Sequence, residues 1–189
     1  MWYSPVESTT CRQMLSFTAD WIRSYFEYSS SDAVPVFVDL GSGAGKANLI
    51  ALELGFPVSV GMEFDKELVD LSTQNFGALL KRRKSTGIGF AVNGDVTNVR
   101  DLRRLRDEVE SQITGRPIWV IFNKNSYGSS ELDQSIDALD EILTDYVYLY
   151  QNPVHERVLE RKNFFVHRRV VDSKLRKNCD WILATRNIS

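Results

Sequence analysis

Residues 34–46 read VPVFVDLGSGAGK, an apolar run that ends in an acid and is followed by three glycines at alternate positions. A continuous apolar run of this length is typical of a strand buried on both faces of a parallel sheet. Alternate glycines let the backbone turn sharply, approach a ligand closely and present amides beside the next helix. The stretch therefore predicts a buried strand, a ligand-binding loop and the start of a helix.

The sequence on either side of this stretch alternates between strand and helix patterns. Strands are predicted at 34–40, 58–63, 88–92, 117–122 and 146–150, with helices at 7–27, 46–54, 65–83, 99–112 and 132–143. Strands 164–171 and 181–185 follow without a helix-length segment between them, which predicts an antiparallel pair at one edge of the sheet. The pattern predicts an α/β fold with a doubly wound, mostly parallel sheet and helices on both faces.

Composition and charge narrow the class of protein. The 189 residues, 43% of them hydrophobic and 25% charged, fit one globular domain. With 23 basic and 25 acidic residues the net charge is −2, which argues against a globally basic nucleic-acid binder and an acidic disordered tail. A local basic patch is still compatible with this balance.

Cysteine usage and the first residues predict the compartment. Cys11 and Cys179 lie at opposite ends of the chain, without the paired spacing of a zinc site or the density of a disulfide scaffold. The start has no basic segment followed by an apolar run, and no window approaches the roughly 20 apolar residues that span a bilayer. We expect a cytoplasmic protein with no bound metal and no membrane contact.

Acidic residues follow the next two strands at the edge where ligands bind such sheets. Glu63 ends the second strand, 18 residues beyond Gly45, where a carboxylate can accept hydrogen bonds from both hydroxyls of a ribose. Asp95 follows the third strand and could accept from an adenine amino group, with Val96 or Phe64 covering the ring face. This spacing predicts an adenosine-containing ligand.

Two other interpretations of the glycine loop can be tested by position. A phosphate-binding P-loop needs Gly at 40 and Ser or Thr at 47, where this chain has Leu40 and Ala47. The dinucleotide fingerprint needs Gly or Ala at 46, where Lys46 stands. The P-loop interpretation therefore fails. The dinucleotide interpretation is weakened, and a nicotinamide-dependent oxidoreductase is kept as an alternative function.

The motifs together resemble those of the class I, Rossmann-like S-adenosylmethionine-dependent methyltransferases from Val34 onward. Residues 39–45 are similar to the first motif of that family, Glu63 to its ribose-binding acid and Asp95 to its adenine-side acid. The resemblance implies S-adenosylmethionine as cofactor and a seven-stranded sheet whose last pair is antiparallel. It also implies that the glycine loop holds the methionine moiety, which Asp39 helps to position. The loop residues so implicated are Gly41, Ser42, Gly43 and Gly45.

A narrower resemblance is to small relatives of the non-SET histone-lysine methyltransferases. Those proteins have an opening like Tyr3-Ser4-Pro5 that folds over the cofactor, and an Asn-centred loop after strand four, here 122–128. The resemblance implies an N-terminal helical segment, 1–33, that packs on the core and covers the cofactor site. It makes 34–189 the cofactor-binding core of the same single domain. Lys124 and Asn125 stand where relatives have proline and an aromatic residue.

The same resemblance implies a methyl transfer with a nitrogen acceptor. In-line transfer depends on positioning, so no metal is required. Asn123 could contact the cofactor and orient an amine through its carbonyl oxygen, while Tyr127 or Tyr3 could line the methyl channel. The acceptor is left open between a protein side chain, a small amine and a nucleic-acid base. Because the strand-four loop is altered, an inactive cofactor-binding domain with a regulatory or interaction role is the alternative.

Basic residues concentrate in two stretches. Residues 81–106 hold eight lysines or arginines against two acids, and residues 155–177 hold eight against three. Such stretches predict contact with phosphates or with an acidic partner protein. The alternative is that they are solvated helix faces and loops.

Overall fold

The computed structural model describes residues 7–26, 32–83, 87–124, 128–170 and 180–186. Some of the residues singled out from the sequence lie outside these ranges, namely Tyr3, Ser4, Pro5, Asn125, Tyr127 and Cys179.

Helices and strands alternate along the described residues as the sequence predicts. The strands are β1 (Ala33–Leu40), β2 (Val58–Glu63), β3 (Ile88–Asn93), β4 (Arg116–Asn123), β5 (Tyr146–Gln151), β6 (Phe165–Val170) and β7 (Trp181–Arg186). The helices are α1 (Ser8–Phe26), α2 (Lys46–Glu53), α3 (Lys66–Arg83), α4 (Val99–Gln112), α5 (Ser129–Ile142) and α6 (Arg157–Arg161). Helix α5 begins three residues earlier than predicted, and α6 is an addition.

The strands form one seven-stranded sheet in the order β3-β2-β1-β4-β5-β7-β6. Strands β1 to β5 are parallel, and β7 runs antiparallel to both β5 and β6. This confirms the predicted α/β fold, a Rossmann-like sheet with an antiparallel terminal pair. The strand order reverses between β1 and β4, and ligands of open α/β sheets bind outside the carboxyl ends of the strands at such a point.

Strand β1 is apolar throughout because helices cover both faces of the sheet. Val36 and Val38 pack in the core layer that includes residues of α4 and α5. Phe37 points the other way, into the layer formed with α1 and α2. Both faces being buried removes the alternation of a half-exposed strand, which is why the sequence shows a continuous apolar run.

Helix α1 packs along the second of these layers. Cys11, Met14 and Leu15 are fully buried there, and Ile22 extends the contact towards the other end of the helix. Burial, followed by the charge of Asp39, raises the pKa of the Cys11 thiol to about 12. A thiol with that pKa is not ionised at neutral pH, so Cys11 packs as a small apolar side chain.

None of the helices in the described ranges is long and apolar enough to cross a bilayer. Within those same ranges, no group of three or more His, Cys, Asp or Glu side chains is arranged to hold a metal ion.

Candidate functional site

The glycine loop joins β1 to α2 in a conformation that favours glycine. Gly41, Gly43 and Gly45 have φ values of 78°, 54° and 80°, in the left-handed region that other residues adopt only at a cost. The amides of Gly41 and Ser42 both donate to the carbonyl of Met62, at 2.9 and 3.0 Å. The loop is therefore anchored to the carboxyl end of β2, the neighbouring strand.

Helix α3 supports the loop from behind. A Cβ on Gly45 would lie 2.3 Å from Ser72 Oγ, and Asn75 Nδ2 donates to the carbonyl of Ala44 at 3.0 Å. The Ser72 side chain is fully buried at this contact. Because the loop backbone lies directly on α3, no side chain fits at position 45.

The Ser42 side chain packs inward, against β2. A Cβ on Gly61 would lie 2.5 Å from Ser42 Oγ, so the glycine in the middle of the strand makes room for the hydroxyl. Ser42 is 6% exposed. The predicted contact of Ser42 with a cofactor would thus be made by its backbone rather than by its hydroxyl.

Glu63 ties the end of β2 to the centre of the glycine loop. Its Oε2 accepts from the amide of Gly43 at 2.8 Å, and its Oε1 accepts from the amide of Asp65 at 3.0 Å. An ionised carboxylate has about four acceptor positions, so two amides leave it able to accept from hydroxyls as well. Glu63, the predicted ribose-binding acid, therefore lies beside the glycine loop and holds its central amide.

Hydrogen bonds connect the end of β3 to the end of β2 beside Glu63. Asn93 Nδ2 donates to the carbonyls of Glu63 and Phe64 at 3.1 and 2.8 Å, and the amide of Gly94 donates to the carbonyl of Glu63 at 3.0 Å. Phe64 is 78% exposed. Its ring is therefore accessible to stack on a planar ligand group.

Asp95 organises its own turn after β3. Its Oδ1 accepts from the amide and the hydroxyl of Thr97 at 2.8 and 2.7 Å, and its amide donates to Asp101 Oδ2 at 2.9 Å. The neighbouring Val96 is 8% exposed and packs in the core. Of the two residues predicted to cover an adenine ring, Phe64 is the one that projects outward.

Asp39 is a buried acid at the carboxyl end of β1. It is 4% exposed, and burial, reinforced by the charge of Glu63, raises its pKa to about 8, while Lys124 opposes the shift. At neutral pH, in the absence of a ligand, most molecules therefore carry a proton on Asp39. A cationic group bound beside Asp39 would favour the ionised form.

Lys124 belongs to the same charged group. Burial and the charge of Lys46 lower the pKa of Lys124, whereas Asp39 and Cys11 act in the opposite direction. The sequence marked Lys124 only as a departure from a family pattern, and its connection with Asp39 depends on how β1 and β4 lie side by side. A lysine at the end of a central strand is the signal that could have suggested it.

Asn123 closes β4 and is fully buried. In the strand register it lies opposite Leu40, the last residue of β1. Its Nδ2 donates to the hydroxyl of Tyr148 at 3.2 Å, and burial raises the pKa of that phenol. The hydrogen bond fixes the orientation of the amide that was predicted to hold an acceptor.

A cavity of about 530 Å³ lies between the start of α5 and the segment after β5. It is lined by Ser129, residues 154–158 and Glu160. Ser129 follows the strand-four loop, and the amide of His155 donates to the hydroxyl of Tyr150 at 3.3 Å, on the strand paired with β4. The cavity therefore includes Ser129, which comes directly after the stretch 122–128 that the sequence associates with the acceptor.

Arginines of the first basic stretch mostly pair with acids. Arg106 lies 2.6 Å from Asp107, and Arg103 lies 3.3 Å from Glu141 on α5. Arg104 lies 3.5 Å from Asp101 and also donates to the carbonyl of Asn93 at 2.5 Å. These contacts reduce the positive charge that the stretch presents, so its contact with phosphates or an acidic partner stays a prediction.

Neither protein-family models nor curated protein sequences match this chain. Many solved structures share its fold, among them magnesium protoporphyrin IX methyltransferase from Synechocystis with bound S-adenosylmethionine. That structure has 13% identity and a TM-score of 0.57 over 94% of this chain and 82% of its own. The ribosomal protein L11 methylase of Lactobacillus delbrueckii has 15% identity and a TM-score of 0.52, over 98% and 89%. A glycopeptide N-methyltransferase complexed with S-adenosylmethionine has 12% identity and a TM-score of 0.51, over 87% and 91%.

At these identities the likeness is one of fold. The classic dinucleotide-binding order is 3-2-1-4-5-6, whereas this sheet places an antiparallel β7 between β5 and β6. At this edge the order of the strands therefore differs from that of the classic dinucleotide-binding sheet.

Proposed function

We propose that this chain binds S-adenosylmethionine and transfers its methyl group to a nitrogen acceptor. The observation that carries the proposal is the hydrogen bond from the Gly43 amide to Glu63, because it joins the acid after β2 to the glycine loop. Its place at the switch point of a sheet shared with solved methyltransferases supports the same function. The narrower kinship to the non-SET histone-lysine methyltransferases is part of this proposal and is supported by Asn123 at the end of β4.

The residues present fit this cofactor. A buried acid whose ionisation is disfavoured suits an ammonium group, as at Asp39. A carboxylate held by two amides suits a pair of vicinal hydroxyls, as at Glu63. An exposed ring suits a purine face, as at Phe64. Asp95 would accept from the adenine amino group through the oxygen that does not bond Thr97.

Catalysis in this proposal rests on positioning. S-adenosylmethionine would supply a methyl carbon activated by its positive sulfur. The chain has to hold that carbon in line with an acceptor lone pair and exclude water from the contact. The cavity beside α5 is the entry that we assign to the acceptor, and Asn123 Oδ1 is the group that we assign to its orientation. The acceptor is a protein side chain, a small amine or a nucleic-acid base.

A second candidate function is cofactor binding without methyl transfer. Two observations favour it: Asn123 is fully buried, and a lysine follows it. Incubation of a whole-cell lysate with the protein and S-adenosylmethionine labelled on its methyl group separates the two functions. Labelling of an acceptor supports the transferase, and tight binding without any labelling supports the regulatory domain.

Substituting Glu63 tests the cofactor site. We expect Glu63→Gln to weaken binding of S-adenosylmethionine and S-adenosylhomocysteine by about 10- to 100-fold, because two hydroxyls lose a charged acceptor. Isothermal titration calorimetry measures both ligands, with NAD as the competing cofactor. Glu67→Gln, on the exposed first turn of α3, is the matched control and should bind like the wild type. Micromolar binding of NAD, or unchanged binding by Glu63→Gln, would refute the proposed site.

A further inference from the structure

Strand pairing places Lys124 beside the glycine loop. Strands β1 and β4 are parallel neighbours, and the register sets Leu40 opposite Asn123. The next residue on each strand, Gly41 and Lys124, therefore leaves the sheet at the same edge. The register thus sets Lys124 level with Gly41, the first glycine of the loop, although the two are 83 positions apart in the sequence.

Electrostatic interactions connect three side chains at this edge. The ammonium of Lys124 interacts electrostatically with Asp39 at the end of β1 and with Lys46 at the start of α2. Helix α2 begins directly after Gly45, so its first amides lie at the same place. One acid, two bases and a helix amino end are thus grouped around one loop.

The balance of these charges favours a ligand with both signs. A cation beside Asp39 offsets the cost of burying that carboxylate. An anion beside the two lysines offsets their mutual repulsion, and the amino end of α2 also favours negative charge. An α-amino acid carries an ammonium and a carboxylate on one carbon, which matches this pattern.

We propose that Lys124 binds the α-carboxylate of the cofactor's amino-acid tail, while Asp39 binds its ammonium. The inference rests on the proposed function and deepens it, because it assigns specificity for adenosine ligands with an intact amino-acid tail. It also accounts for the departure at position 124. The residue after Asn123 serves the cofactor here, and the acceptor is held by other groups.

A pair of ligands tests this assignment. S-adenosylhomocysteine has the amino-acid tail, whereas 5′-methylthioadenosine keeps the adenosine and the thioether but lacks the ammonium and the carboxylate. We expect Lys124→Met to weaken S-adenosylhomocysteine by about 10- to 100-fold and to change 5′-methylthioadenosine by less than about 2-fold. Lys124→Arg keeps the charge and should stay within about 5-fold of the wild type for both ligands.

The controls separate the assignment from a folding defect. Lys66→Met removes an exposed lysine that pairs with Asp70 on α3, and it should bind both ligands like the wild type. Equal losses for the two ligands in Lys124→Met, or no loss for either, would overturn the role of Lys124 and leave the proposed function standing. Failure of the wild-type protein to bind either ligand would overturn both. Thermal unfolding of each variant checks that it is folded.

Discussion

Asp39→Asn is expected to stabilise the protein and to weaken cofactor binding strongly. The Asp39 carboxyl has a pKa of about 8 in the folded protein against a reference value of 3.8. Between these values the folded state binds more protons than the unfolded state, so wild-type stability falls as the pH rises from 4 to 8. Asparagine has the same shape and no charge. We therefore expect the variant to unfold at pH 8 with about 3–5 kcal/mol more free energy than the wild type.

Urea unfolding at two pH values measures this effect. The stability gap between Asp39→Asn and the wild type should be about 3 kcal/mol larger at pH 8 than at pH 5, because Asp39 ionises mainly above pH 5. A gap that does not change with pH would show that Asp39 ionises normally in the folded protein. The exposed Asp70→Asn variant is the control, and its effect should be within about 0.5 kcal/mol at both pH values.

The same substitution should remove a proton release that accompanies binding. At pH 7 most Asp39 side chains are protonated, and an ammonium bound beside them favours the charged form. Binding of S-adenosylhomocysteine should then release close to one proton per molecule, measured by calorimetry in two buffers with different ionisation enthalpies. Asp39→Asn should release none and should bind at least about 30-fold more weakly. Proton-neutral binding by the wild type would contradict the assignment of Asp39.

Gly45→Ala is expected to destabilise the protein by about 2–4 kcal/mol. The residue has a φ of 80°, where a side chain costs about 1–2 kcal/mol. The added Cβ would also lie 2.3 Å from Ser72 Oγ, so the buried serine or the loop has to shift. Gly77→Ala is the matched control within α3, because a Cβ there meets no atom of the described chain within 4 Å. That variant should gain up to about 1 kcal/mol from higher helix propensity.

A double variant divides the cost of Gly45→Ala into its two parts. Ser72→Ala removes the hydroxyl that the new methyl group would overlap and leaves the backbone conformation unchanged. In the Ser72→Ala background, Gly45→Ala should lower the free energy of unfolding by only about 1–2 kcal/mol, the part that comes from backbone strain. An equal cost in both backgrounds, measured by urea unfolding, would show that the contact with α3 contributes nothing.

The sequence predicts those elements of the fold whose burial produces a regular pattern of apolar residues. The sequence predicts β1 because both of its faces are covered, and the alternation of strands and helices predicts a mostly parallel sheet, whereas the order of the strands comes from the structure. Helix α6 was missed because its five residues are too short to show a period. The start of α5 was misplaced because Ser129, Ser130 and Glu131 are polar and exposed, and helical periodicity begins only at Leu132.

The sequence predicts residues of the candidate site, but it does not predict the contacts between them. Spacing identified Glu63, yet the bond to Gly43 joins residues 20 positions apart and depends on β2 lying beside β1. The inward turn of Ser42 had a signal in Gly61, since a glycine inside a strand often marks the close approach of another group. The pKa of Asp39 had no signal in the sequence, because it depends on burial and on the charges of Glu63 after β2 and Lys124 after β4.

The bond between Glu63 and Gly43 bears on how a ligand would be received. The Glu63 carboxylate and the carbonyl of Met62 hold the loop through its own amides, so we expect it to need no rearrangement when the proposed cofactor binds. Association then does not lose free energy to ordering this segment, and the ligand meets a preorganised surface. We expect the loop amides to exchange slowly with deuterium even in the free protein. The glycine loop would thus select its ligand by complementarity to a conformation that it already has.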